Sequence, residues 1–166
     1  MGKFGRIAAA LAASASMLTG GLLATATHAS ADDGYNYIHN REIPGQVWDA
    51  DDHGTDPGTA VVTYDINGGD NQQWSITNVG GGFFTIKGKE SGLCASAQQV
   101  GGASVTLQDC NNLRAQWRHV PLEGDYVLLQ NRVRGTCATL MARNAPLGLE
   151  TCDPDDTFQH WKVAST

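Results

Sequence analysis

The run Asp49-Ala50-Asp51-Asp52-His53-Gly54 places three carboxylates and an imidazole within six residues, echoing the opening of a calcium-binding loop. Such a loop closes on a bidentate Glu at its twelfth position, and here that position is Ala60. Calcium is therefore not expected. Zinc would need paired thiolates, and no C-x-x-C spacing occurs among Cys94, Cys110, Cys137 and Cys152. His39, His53, His119 and His160 are scattered singly, and G-x-S-x-G, H-E-x-x-H and phosphate-loop motifs are absent. Two carboxylates can hydrolyse a glycosidic bond, but Asp and Glu are common in this acidic chain, so their pairing carries no signal. The residue chemistry points away from catalysis, resident metals and cofactors, and toward non-covalent binding.

The elements that must position any binding residues are repeated. Asn71-Gln72-Gln73-Trp74 is echoed by Gln116-Trp117, 43 residues on at the Trp, and by Gln159-His160-Trp161, 44 further. Self-similarity at this period marks a repeat architecture. Three units follow, at about 35–78, 80–120 and 121–164. Gly45-Gln46-Val47, Gly92-Leu93-Cys94 and Gly135-Thr136-Cys137 open equivalent hairpins, and Val61-x-Thr63, Val105-x-Leu107 and Leu147-x-Leu149 continue them as short alternating strands. Turns such as Asn67-Gly68-Gly69-Asp70 and Asp153-Pro154-Asp155-Asp156 separate them. No stretch after the leader keeps a helical apolar period, so an all-β protein of about a dozen strands is expected. One unit cannot bury its Trp alone, whereas three closing around a pseudo-threefold axis share a core and hide their sheet edges. A propeller typically needs four or more blades. Three units predict a β-trefoil.

Residues 1–31 read as a secretory signal peptide: Lys3 and Arg6, an interrupted apolar run over 7–23, then Ala29-Ser30-Ala31 for cleavage. Residues 32–166 are then one domain. Without the leader's two cations the net charge moves from −6 to about −8, a sign that repels phosphate backbones and makes nucleic acid an improbable partner. The apolar run is too interrupted to span a bilayer, so no membrane insertion is expected. Export implies an oxidising compartment and two disulfides. Of three possible pairings, the repeat selects Cys94–Cys110 and Cys137–Cys152, one within each of the second and third units. Each closes a loop of about 15 residues, a constraint of about 3 kcal/mol on the chain-entropy account.

The three Trp-bearing motifs make the chain resemble the ricin B-type lectins, β-trefoil carbohydrate-binding modules with Gln-x-Trp repeats; the second copy, Ala115-Gln116-Trp117, lacks the leading Gln. The resemblance covers residues 35–165. It places the half-cystine positions of the first unit at Val47 and Ile66, an apolar pair where the other units have disulfides. It implies that Asp49 accepts hydrogen bonds from sugar hydroxyls, as a carboxylate with two acceptor oxygens can. It makes Tyr64 the platform under the sugar's C–H face, a rigid apolar surface with few torsions to freeze. Asn67 and Asn71 would add donors and acceptors, Gln72 would brace the site beside Trp74, and Asp52 would contribute from the loop. Taken singly, Asp49 could equally cap a turn, Tyr64 face water on an ordinary strand, and Asn67 serve its turn with Gly68.

By the same resemblance the other units have lost the site. The second has Ser96 and Gln108 in place of the Asp and the aromatic; the third has Thr139, Glu150 and Phe158 at the Asp, aromatic and Asn positions. The expectation is a secreted, extracellular sugar-binding module with one site, taking galactose- or xylose-type glycans or a polysaccharide. The alternative is a degenerate trefoil that binds a secreted protein partner, as a subunit of a toxin or enzyme or as an inhibitor.

Overall fold

The computed structural model describes residues 34–98 and 102–166; the expected signal peptide, 1–31, lies outside them. Among the described residues there are twelve strands, four to a repeat. The first repeat holds β1 (Asn36–Asn40), β2 (Gln46–Ala50), β3 (Val61–Asp65) and β4 (Trp74–Gly80). The second holds β5 (Phe83–Gly88), β6 (Cys94–Ala97), β7 (Val105–Gln108) and β8 (Gln116–Pro121). The third holds β9 (Val127–Asn131), β10 (Cys137–Thr139), β11 (Gly148–Glu150) and β12 (Trp161–Ser165). Short 3₁₀ turns, Asp70–Gln72, Leu113–Ala115 and Thr157–Gln159, lead into the Trp of each repeat.

Two layers account for the pairing. Strands β1, β4, β5, β8, β9 and β12 pair in succession and β12 returns to β1, closing a six-stranded barrel with no free edge. Hairpins β2–β3, β6–β7 and β10–β11 stand at one end. They are joined pairwise by single bridges, Ala60 to Thr106, Val62 to Pro146 and Ser104 to Gly148. The chain is a β-trefoil.

The core explains why Trp recurs. Trp74, Trp117 and Trp161 are fully buried, and each indole Nε1 donates to a carbonyl at the same place in its repeat: Trp48, Ala95 and Ala138, at 3.0, 2.8 and 2.8 Å. A buried indole N–H usually finds such a partner; the fourth buried indole, Trp48, is the exception, its Nε1 having none. The position that is Ala in two repeats is Trp48 in the first. Its ring meets all three others edge-on, with centroids 5.4–6.3 Å apart. One large side chain therefore fills the centre that the two alanines leave open.

The repeats are also laced at their junctions by a cyclic set of contacts absent from any one unit. Arg41, Lys89 and Arg132 lie over Tyr126, Tyr35 and Phe83 of the neighbouring repeat, 4.7–5.4 Å from the ring centroids. Each side chain also meets the middle residue of a neighbour's Trp motif: His160, Gln73 and Gln116. The backbone N–H of each cation donates to the carbonyl of that same residue, at 2.9–3.0 Å. Both expected disulfides are formed, Cys94–Cys110 and Cys137–Cys152.

Candidate functional site

The β2–β3 register sets the site's geometry. Val47 pairs with Tyr64 and Asp49 with Val62. Residues directly opposite point to one face, and residues two apart on a strand share it. Asp49 and Tyr64 are thus diagonal neighbours on one side of the hairpin, a relation that in such ladders spans roughly 7–8 Å. The corresponding pairs Cys94 with Gln108 and Cys137 with Glu150 show that the three hairpins are in the same register. Val47 therefore holds the place of the first half-cystine and is fully buried, whereas Ile66, two residues beyond Tyr64, stays largely exposed.

A cleft of about 330 Å³ opens here, lined by Asp49, Asp51, Asp52, His53, Tyr64, Asn67 and Asn71. Asp49 is 3% exposed and its carboxylate is held from both ends. Asn71 Nδ2 donates to Oδ1 and Gln72 Nε2 to Oδ2, each at 2.9 Å. The second donor of Asn71 reaches the Ala50 carbonyl at 3.3 Å, and its Oδ1 has no partner. Gln72 is fully buried; it also donates to the Asp65 carbonyl and accepts from Asn67 N–H. It therefore acts on the cleft only through Asp49 and the turn. Asn67 Oδ1 accepts from Gly69 N–H at 2.8 Å, so this residue both shapes its turn and faces the cleft. A Cβ at Gly69 would run into Asn71 Oδ1 and Asn67 Oδ1, which is why the turn needs glycine there. Tyr64 is 47% exposed, its ring open to the cleft.

Burial raises the pKa of Asp49 above the ordinary carboxyl value, opposed by the hydrogen bonds from Gln72 and Asn71 and by the nearby His53. A carboxyl group perturbed by burial and lining a cleft is a candidate functional group.

Asp51 and His53 also line the cleft; in the sequence they stand out only as part of the calcium-loop-like run. Asp52 and His53 are consecutive non-glycine residues at positive φ, 51° and 54°. That conformation is unfavourable for L-residues by about 1–2 kcal/mol each. It turns the chain outward into a wall, held by His53 Nδ1 against Glu90 of the second repeat at 3.0 Å. No group of three or more His, Cys, Asp or Glu among the described residues is arranged to hold a metal ion.

The third repeat keeps a concavity at the equivalent place. It measures about 220 Å³ and is lined by Thr139, Leu140, Met141, Glu150, Asp156 and Phe158. The Asp, aromatic and Asn are gone, as the sequence indicated, yet the hairpin and the 3₁₀ turn still enclose a hollow.

A profile of the ricin-type beta-trefoil lectin domain matches residues 34–161. The chain belongs to this lectin family, whose class function is carbohydrate binding. Among solved structures it is similar to ThreeFoil, a designed threefold-symmetric protein, with TM-score 0.74 and 25% identity over 81% of this chain and all of that one. It is also similar to an exo-beta-1,3-galactanase from Clostridium thermocellum, with TM-score 0.73 and 21% identity over 81% of this chain, though it spans only 31% of the galactanase. The Rhizoctonia solani agglutinin matches with TM-score 0.67 and 20% identity over 80% of this chain and 95% of the agglutinin. Below 25% identity such likeness speaks for the fold. No curated protein sequence matches the chain. No helix among the described residues is long and apolar enough to cross a membrane.

Proposed function

We propose that the protein is a secreted carbohydrate-binding module whose glycan site is the first-repeat cleft, with Asp49, Tyr64, Asn67 and Asn71 touching the sugar and Gln72 holding Asp49 in place. The observation that carries this reading is the convergence of a braced carboxylate, an open aromatic ring and two amides on one cleft. Asp49 keeps lone pairs beyond the two already used. Tyr64 supplies the apolar face on which a pyranose can stack. Galactose- or xylose-type units, free or within a polysaccharide, match this mixture of donors, acceptors and one ring.

A shallow polar site of this kind binds a single sugar at about −4 to −5 kcal/mol, near millimolar. Useful affinity for one such site then comes from several units of one polysaccharide chain. Two disulfides and the leader-like residues 1–31 support an extracellular setting. Glycan arrays and pull-downs on insoluble xylan and galactan test the proposal. Binding competed by free sugar and lost in Tyr64→Ala is expected; full retention in Tyr64→Ala would show that the site lies elsewhere.

A further inference from the structure

We propose that the third-repeat cleft is a second binding site, one that takes an arginine or lysine side chain presented by a protein partner. The shared register aligns it with the first cleft. Thr139 stands where Asp49 does, Met141 where Asp51 does, Glu150 where Tyr64 does and Phe158 where Asn71 does. The exchange reverses the chemistry of the hollow rather than erasing it.

In the first cleft the side-chain amide of Asn67 and the phenol of Tyr64 supply donors beside the carboxylate acceptors, while Asn71 spends both of its donors on Asp49 and the Ala50 carbonyl. In the third, no lining side chain has a donor to offer a ligand. Thr139 Oγ1 donates back to the Cys137 carbonyl at 3.1 Å. Glu150 and Asp156 are carboxylates, and Leu140, Met141 and Phe158 are apolar. A sugar hydroxyl both donates and accepts, so such a lining serves it poorly. A guanidinium or ammonium only donates and arrives on an apolar stem, which matches both halves of the surface.

The parts are placed for that ligand. Phe158 is 47% exposed and Met141 54%, so an apolar ring and a thioether stay open to water. Met141 lies across Gly148, where a Cβ would strike its sulfur. Glycine at this one strand position lets the thioether form part of the floor. The Glu150 side chain has no hydrogen-bond or ion-pair partner among the described residues. Asp156 uses Oδ1 to cap Phe158 N–H at 3.0 Å, leaving Oδ2 for a ligand. A cation over the Phe158 face would thus have carboxylates at its flank. The net charge of −6 draws basic partners toward the surface.

The test uses the full chain labelled with methyl-¹³C methionine, the Met141 signal being identified with Met141→Leu. Acetyl-Gly-Arg-Gly-amide, acetyl-Gly-Gln-Gly-amide and glucosamine are the probes. Saturable movement of the Met141 methyl by the Arg peptide is expected at about 1–10 mM, near the affinity floor for one side chain. The Gln peptide should leave it still. Glu150→Gln should weaken the Arg peptide at least about fivefold through loss of a charge-assisted bond, while Tyr64→Ala should change nothing. No movement by about 50 mM, an equal response to the Gln peptide, tighter binding of glucosamine, or full affinity in Glu150→Gln would each overturn the proposal.

Discussion

The first and third repeats share one backbone and differ in what they hang on it. In both, a two-stranded hairpin and a 3₁₀ turn enclose a hollow, about 330 Å³ in one and 220 Å³ in the other. The first is lined by carboxylates, amides, an imidazole and a phenol, with the acid at its base held by two amides. The third is lined by three apolar side chains, a back-bonded hydroxyl and two carboxylates. The hollow belongs to the trefoil, and its chemistry to four or five side chains. Scaffold and specificity can therefore diverge within a single chain, because Trp burial and strand pairing do not depend on the cleft residues.

The largest effect that would break this contrast is the loss of the Asp49 charge. Asp49→Asn removes an acceptor that both bracing amides use and that the proposed glycan site assigns to the ligand, and glycan affinity should fall about 10- to 100-fold, since hydrogen bonds to charged groups contribute roughly 1.5–3 kcal/mol. Isothermal titration with a galacto- or xylo-oligosaccharide measures it, and circular dichroism should show the fold unchanged. Binding that survives the change would remove the distinction between the clefts.

Acidification should act in the same direction, more gently. Because burial raises the Asp49 pKa, the carboxylate is lost at a higher pH than an exposed Asp would lose it. Glycan binding is thus expected to weaken as pH falls through that raised value. Stability linkage has the opposite sign: between the unfolded value of 3.8 and the raised folded value, the folded state holds more protons. The contribution of Asp49 to stability is therefore full below the unfolded value and lost as pH rises through the folded one. Binding titrations and thermal unfolding across this window should move oppositely, and parallel movement would contradict the assignment.

The smallest expected effect lies at the junctions that all repeats share. Arg132→Ala removes one cation–π contact with Phe83 and the side-chain hydrogen bond to Gln116, and should lower stability by about 1 kcal/mol. Glycan affinity should not change, which separates scaffold from site in one variant by chemical denaturation.

Much of this was legible in the chain because the signals are local and periodic. The Trp spacing and the cysteine pairs are carried by the repeat, and Asp49 and Tyr64 by the family resemblance; strand register then puts those two on one hairpin face. What escaped the sequence is what depends on tertiary geometry. The left-handed turn at Asp52 and His53 carries no glycine to announce it, so Asp51 and His53 went unassigned as cleft wall. The contacts of Arg41, Lys89 and Arg132 join residues of different repeats, and no local pattern marks them. The third cleft was hidden because its motif is destroyed while its shape, set by backbone and by Gly148, persists.

The central claim, a single glycan site on the first repeat, is tested most directly by amide chemical-shift mapping. The ¹⁵N-labelled protein would be titrated with a xylo- or galacto-oligosaccharide. The expected result is saturable change around Asp49, Tyr64, Asn67 and Asn71 with Thr139, Glu150 and Phe158 unmoved. Largest shifts on the second or third repeat, or none under saturating glycan, would contradict it.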